Sequence, residues 1–371
     1  MKILVLQDWL RSGGTERQSV LLANGFAAAG HGTTLLTFRP GGRLAPTVAA
    51  AVGRRALQPF DLRLDWYAPG LSRAVGVIKP DVILCMGRMA NCYAGRLQRE
   101  HPDAAVLATM RTGKPLPALF RRSLRLVRHV VANSREARDG LITRHAVPPA
   151  RISVIYNSLV FGGTTAPHAR PELRARYGAS DRTLVLLCVA MFRPEKNQRE
   201  LIEIAAGFAR EVDWQLWLAG DGPARRACEK LAATRGVAER VRFPGFLRDP
   251  SPLYAASDVA VHASSSESLS NFLIEAQAQG LPAVAYEAQG IAECFVPGQT
   301  GWPIPRGDRA AFRQRLGQLA AASPTERASR SDAARRYARE TFDADRQIAA
   351  YLDLFQSLAN QPPSRGDFAA S

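Results

Sequence analysis

The sequence predicts an α/β protein of two doubly wound, parallel-sheet domains. Short apolar runs alternate with amphipathic stretches of helical period, the pattern of strands joined by crossover helices. That alternation begins near Lys2, loosens after Asn157 and restarts as a complete pattern near Leu184. A length of 371 residues suits two ordinary cores and is too long for one small one.

In the first half, Lys2–Leu6 reads as a buried strand leading into a loop through Ser12, Gly13 and Gly14. A helix from about Glu16 to Ala29 is stopped by Gly30, and a second strand covers Thr33–Phe38. Val82–Met86, Ala105–Thr109, Val130–Ala132 and Ile152–Ile155 read as later strands. Phe161 to Pro171 is rich in glycine, threonine and proline and reads as the interdomain linker. In the second half, Leu184–Ala190, Trp214–Ala219, Val241–Phe243, Val259–His262 and Ala283–Tyr286 read as strands, with a helix over Gln198–Arg210. Gly220-Asp-Gly-Pro223 turns the chain into another helix, Pro223 suiting a first helical position. One last helix is expected from beyond Arg336 to about Leu358. The division that follows is an N-terminal domain over 1–165, a C-terminal domain over 166–340, a helix over 341–360 crossing back to the first domain, and a disordered tail over 361–371. Such sheets bind ligands beyond the carboxyl ends of their strands, so the expected site is a cleft where the two domains face each other.

Composition narrows the function. With 46% hydrophobic and 22% charged residues the chain is globular, and no run of 18 apolar residues offers a membrane span. The apolar start breaks at Asp8, as a first strand does and a secretory signal does not. Five cysteines without CxxC or Cys/His spacing suggest reduced structural thiols in a cytoplasmic protein, with no metal site. Charge is unevenly placed. Residues 1–165 hold 23 Lys and Arg against 9 Asp and Glu, leaving 26 against 24 for the remainder. Arg-rich composition alone would not leave the second half near neutral, so the first half is expected to meet an anionic partner. Within it, Arg121, Arg125 and Arg128 fall at helical spacing beside Arg122, with Leu119, Leu124 and Val127 on other faces. A basic amphipathic helix of that kind suits peripheral attachment to an anionic membrane surface. The basic residues lack interleaved aromatics, which argues against nucleic acid as the partner.

The chemistry concentrates between His262 and Ala276. A strand ends there in a small polar loop, and a helix starts near Ser270, with Ser268 or Ser270 as N-cap and Gly280 closing the far end. A helix start offers unpaired N–H groups and about half a positive charge, which is what a diphosphate needs. Glu267 and Glu275 flank it, separated by seven residues, so that Glu267 faces the sugar end of a donor and Glu275 reaches the ribose. Carboxylates accept hydrogen bonds and so suit the hydroxyl pairs of sugars. Taken alone, the pair reads equally well as two solvated glutamates. Arg193-Pro-Glu-Lys196, after the first strand of the same domain, shifts that balance, because both cations are placed to reach a diphosphate. Gly220-Asp-Gly-Pro223 is not GxGxxG and gives no support to a nicotinamide cofactor.

In combination these residues resemble the retaining glycosyltransferases of GT-B fold, family 4 (glycosyl transferases group 1). The resemblance rests on Glu267-Ser-Leu-Ser-Asn-Phe-Leu-Ile-Glu275, on Gly13-Gly14-Thr15-Glu16-Arg17, and on Pro194-Glu-Lys-Asn197. Ala219-Gly-Asp-Gly-Pro223, Val241-Arg-Phe-Pro-Gly-Phe246 and Gly290-Ile-Ala-Glu293 extend it, and it runs from Lys2 to about Asp308. It implies Glu267, Arg193 and Lys196 as catalytic residues, with the two cations stabilising the leaving group. It implies donor contacts from Gly14, Glu275, Ser270, Asn271, Phe272 and Leu273, with Phe246 near the base, and acceptor contacts from Arg111 and Thr15. Three departures stand out. Met191 occupies the place of the family's usual Arg, with Arg193 two positions on; Asn157-Ser158-Leu159-Val160 replaces Asn-Gly-x-Asp; and Arg111 follows the strand where a histidine is common.

The implied activity is metal-independent transfer of a sugar, with retention, from a nucleoside diphosphate, uridine by default, to a hydroxyl of a glycan or lipid-linked acceptor. The pathway implied is cell-surface polysaccharide, lipopolysaccharide or glycolipid synthesis, and the nucleotide sugar is a substrate, so no cofactor is expected. A sugar-nucleotide epimerase or phosphorylase-like enzyme of the same fold is the nearest alternative. A basic nucleic-acid-binding protein is the alternative from another class.

Overall fold

The computed structural model describes residues 1–160, 169–208 and 212–360. The chain divides into two compact units, one formed by 1–158 together with the chain from Ala344 on, the other by 159–343.

The first unit carries β1 (Lys2–Gln7), α1 (Gly14–Ala28), β2 (Gly32–Thr37), β3 (Gly53–Ala56), α2 (Leu71–Ile78) and β4 (Val82–Cys85). It continues through α3 (Arg88–Glu100), β5 (Ala105–Met110), α4 (Ala118–Leu126), β6 (His129–Ala132), α5 (Arg135–His145) and β7 (Ile152–Val154). Its seven strands are parallel in the order β3-β2-β1-β4-β5-β6-β7. Burial on both faces follows from side-chain alternation along each strand. Leu4 and Leu6 of β1 enter a core with Phe120 and Leu124 of α4, while Ile3 and Val5 enter another with Val20, Leu22 and Phe26 of α1. The two arginines of β3 are exposed at the sheet edge. An edge strand of that kind has no apolar alternation to betray it, and the sequence reading passes over it.

The second unit carries α6 (Ala169–Arg176), β8 (Leu184–Val189), α7 (Gln198–Ala206), β9 (Trp214–Ala219), α8 (Arg225–Thr234), β10 (Val241–Gly245) and α9 (Ser251–Ala256). It continues through β11 (Val259–His262), α10 (Asn271–Ala278), β12 (Ala283–Tyr286), β13 (Gly301–Ile304), α11 (Arg309–Ala320) and α12 (Pro324–Phe342). Its six strands are parallel in the order β10-β9-β8-β11-β12-β13, which is the doubly wound order with its switch point between β8 and β11. Buried Arg174 of α6 ties the start of this unit together. Its guanidinium donates to the carbonyls of Ser180, Thr183 and Ala256, and reaches Asp258 Oδ2 at 3.3 Å.

The last helix differs from the expected single one. It breaks at Asp343, whose ψ of 133° is extended, and α12 gives way to α13 (Ala344–Ala359). α13 packs within the first unit, where Phe355 meets Phe26 edge-on at 5.4 Å. Three smaller corrections follow. Helix α8 begins at Arg225, so Pro223 precedes it by two residues; β13 was overlooked because Gly301 and Pro303 disguise it; and helix α7 ends at Ala206. Most of the expected linker, residues 161–168, and the expected tail over 361–371 lie outside the described residues.

Candidate active site

The loops that leave β8 and β11 flank the switch point of the second unit, and they hold the charged residues singled out above. After β8 the chain makes a 3₁₀ turn over Pro194–Lys196, and Asn197 then takes a left-handed conformation, φ 52°, before α7. The carbonyl of Glu195 accepts from Ser265 N at 2.8 Å and from Ser264 Oγ at 2.9 Å, fastening the β11 loop to that turn. The fastening sets one salt bridge. Lys196 Nζ donates to Glu267 Oε1 at 2.5 Å, and His262 Nε2 lies 3.1 Å from the same oxygen. Among the described residues Glu267 Oε2 takes no hydrogen bond. Burial pushes the Glu267 carboxyl up, but the charge of Lys196 and the hydrogen bond from His262 outweigh it and hold the group down at about 2. At neutral pH Glu267 is therefore an anion with one lone-pair face engaged and the other available to a hydroxyl.

Helix α10 starts four residues later. Ser270 occupies its N-cap position, as expected, but makes no side-chain cap; its hydroxyl lies 3.4 Å from His262 Nε2 instead. Asn271, Phe272 and Leu273 form the first turn, where backbone N–H groups and the helix dipole favour an anion. Glu275 is half-buried, not lost in the core, and accepts from Tyr254 Oη at 2.7 Å. Arg193, half-buried, caps the 3₁₀ turn, and its guanidinium makes no hydrogen bond or ion pair among the described residues. Phe246 follows β10 and stands 42% exposed. Gly290, with φ 72°, closes the site from the β12 side. A Cβ there would collide with the carbonyl of Ser268, so only glycine lets that loop lie against Glu267's own.

The remaining candidates lie in the first unit. Gly14 is exposed and opens α1, Gly13 stands at its N-cap without a side-chain cap, and Thr15 sits in the first turn. Arg111 is placed otherwise than as a free acceptor group. Its Nη1 donates to Asn157 Oδ1 at 2.6 Å and its Nη2 to Tyr351 Oη at 2.6 Å, a bracket between β5, the end of β7's loop and α13. Arg128 likewise leaves the basic helix face, because α4 stops at Leu126 and the guanidinium donates to the carbonyls of Leu358 and Pro102. Arg121, Arg122 and Arg125 remain exposed on α4 beside Leu119, itself 61% exposed.

Sequence reasoning missed His262 and Tyr254 as site residues. The signal for His262 was present, a histidine closing the strand five residues before Glu267; Tyr254 left none, because it acts from another helix. Asp8 was also missed. It ends β1's run and accepts from Met89 N and Ala90 N at the start of α3, and burial pushes its carboxyl up to about 6.

The chain is similar to known proteins in sequence and in fold. The description Glycosyltransferase Family 4 matches residues 12–159 and Glycosyl transferases group 1 matches residues 183–322, so that together they cover most of the chain. The lipopolysaccharide core biosynthesis glycosyltransferase LpsE of Rhizobium meliloti is 36% identical over 148 residues, 40% of this chain and 43% of the relative. The alpha-D-kanosaminyltransferase of Streptomyces kanamyceticus is 32% identical over 191 residues, 50% of this chain and 49% of the relative. The matched segments thus span about half the length of these curated relatives or less. The crystal structure of Anabaena HepE in complex with UDP superposes with a TM-score of 0.82 at 21% identity, covering 96% of this chain and 100% of that one. Two Rossmann-like units with these sheet orders define the class, the GT-B fold. Within it, the chain belongs to glycosyltransferase family 4, its second half being the group 1 module.

Proposed function

We propose that this protein transfers a sugar, with retention of configuration, from a nucleoside diphosphate sugar to a hydroxyl of a glycan or lipid-linked acceptor. The observation that carries the reading is the contact of Lys196 with Glu267 beside the first turn of α10, with Arg193 capping the 3₁₀ turn that holds Lys196. The diphosphate lies against the amides of Asn271–Leu273, with Lys196 and Arg193 turned to it. Glu275 takes the ribose hydroxyls, Phe246 neighbours the base, and Oε2 of Glu267 accepts from the sugar.

As the bond from the anomeric carbon to the β-phosphate oxygen breaks, negative charge grows on the departing diphosphate. The cations and the helix start stabilise it without a metal ion, and each such donor is worth about 2.7–4 kcal/mol of barrier by analogy with oxyanion donors. The acceptor oxygen bonds to the anomeric carbon on the same face, and its proton passes to the departing phosphate. The uridine nucleotide is favoured by the solved HepE complex with UDP, and the relative from lipopolysaccharide core biosynthesis favours a cell-surface pathway. Arg121, Arg122, Arg125 and exposed Leu119 on α4 support peripheral attachment at the cytoplasmic face of a membrane, each cation contributing about 1 kcal/mol near anionic lipid. Equal, negligible flotation with neutral and anionic liposomes would remove that part.

The test of the whole is a screen of nucleotide sugars by thermal shift, followed by transfer assays with Glu275→Ala and Lys196→Ala. Glu275→Ala should chiefly weaken donor binding. Lys196→Ala should lower turnover by about 10²–10³-fold. Full activity in both variants overturns the assignment.

A further inference from the structure

The two carboxylates that bracket α10 are each held by a donor carried on a ring, and a third ring joins the two. Tyr254 Oη donates to Glu275 at 2.7 Å, and His262 Nε2 meets Glu267 at 3.1 Å. Phe272 lies between them. Its centroid is 6.0 Å from that of Tyr254 with planes 24° apart, and 6.2 Å from that of His262 with planes 21° apart. All three rings are buried, at 3%, 2% and 6% exposure for Tyr254, His262 and Phe272, so none is free to swing. A carboxylate only accepts, so the His262 tautomer that serves Glu267 carries its proton on Nε2. Its buried Nδ1 has no partner among the described residues. The ring is thus oriented by its Nε2 contacts, with Glu267 at 3.1 Å and the Ser270 hydroxyl at 3.4 Å, and by its stack, with no hydrogen bond at Nδ1 among the described residues.

We propose that His262 and Tyr254 are positioning residues, each locking one carboxylate, with Phe272 as the spacer that sets the distance between the sugar-binding and ribose-binding ends of the donor site. The proposal rests on the functional reading above, in which Glu267 meets the sugar and Glu275 the ribose. It has a consequence that a merely structural role lacks. Loss of the His262 donor loosens Glu267 and penalises the sugar half of the donor, whereas loss of the Tyr254 hydroxyl loosens Glu275 and penalises the nucleotide half.

The experiment is calorimetric titration with the tightest donor from UDP-glucose, UDP-galactose, UDP-N-acetylglucosamine and GDP-mannose, and with its nucleoside diphosphate alone. His262→Phe, which keeps a ring and removes the donor, should weaken nucleotide-sugar binding by about tenfold and leave the nucleoside diphosphate within about twofold, the size expected for a hydrogen bond to a charged group. His262→Gln, which places an amide near the lost Nε2, should recover most of the loss. His262→Asn, a bond too short to reach Glu267, should not, and it serves as the test if the Phe variant fails to fold. Tyr254→Phe should weaken both ligands by the same factor. If His262→Phe or His262→Asn weakens both ligands alike, or if Tyr254→Phe weakens neither, the positioning roles are wrong. Glu267→Ala and Glu275→Ala separate this from the underlying reading. If Glu275→Ala leaves the nucleoside diphosphate untouched, or the wild-type protein binds none of the donors, the functional reading fails and takes the proposal with it. If the glutamate variants behave as expected and the ring variants do not, only the proposal fails.

Discussion

Replacing Lys196 by Met keeps most of the length of the side chain and removes the charge that faces Glu267. The Glu267 carboxylate is 9% exposed and sits at about 2 against an ordinary 4.5. That difference, at about 1.36 kcal/mol per unit, makes its setting worth about 3 kcal/mol of folding stability at neutral pH. Burial opposes the ionised form, so Lys196 and His262 together supply more than that net figure. The sign follows from the depressed value. The stability is complete above the unfolded carboxyl's pKa and drains away as pH falls through the folded one. In Lys196→Met the buried anion keeps only His262, and breaking a buried pair costs about 3–5 kcal/mol. For a unit of this size about 3 kcal/mol lowers the melting temperature by about 6–12 °C. Scanning calorimetry at about pH 7.5 and about pH 4.5 should show the larger deficit at the higher pH, because a carboxyl freed from Lys196 protonates as the pH falls. A variant that melts with the wild type at both pH values refutes the reasoning, since Lys196 and Glu267 would then not be each other's counter-ions in solution.

Other substitutions test other parts of the account. Arg174→Met strips four backbone and carboxylate partners from a side chain 1% exposed, and should cost about 3–5 kcal/mol, read as a large fall in melting temperature. Asp8 titrates in the opposite sense to Glu267. Its folded value of about 6 lies above the ordinary 3.8, so stability is lost as pH rises through 6, and Asp8→Asn should flatten the melting temperature between about pH 4 and pH 7. Gly290→Ala drives a Cβ into the Ser268 carbonyl at a left-handed backbone, and should weaken donor binding in titration as well as lower stability by more than about 1 kcal/mol.

The fold was legible because buried parallel strands announce themselves as apolar runs, as β1, β5, β8 and β9 do. Strands β3 and β13 were not, since an exposed arginine pair and a Gly-Trp-Pro-Ile edge carry no such signal. The start of α10 and its two glutamates were readable because their spacing is local. What acts across the fold was hidden. Tyr254 reaches Glu275 from 21 positions away, and the partners that occupy Arg111 lie 46 and 240 positions away, so its guanidinium looked available when read along the chain. Arg128 misled for a different reason, as helical spacing was extended two residues past a helix that ends at Leu126.

The central claim, that the β8 and β11 loops with the start of α10 receive a nucleoside diphosphate, is tested most directly by a crystal structure of the protein soaked with UDP. Pyrophosphate density within hydrogen-bonding distance of the Asn271–Leu273 amides, with Lys196 swung from Glu267 to a phosphate oxygen and Glu275 on the ribose, is the expected result. UDP bound elsewhere, with the Lys196–Glu267 pair undisturbed, would contradict it.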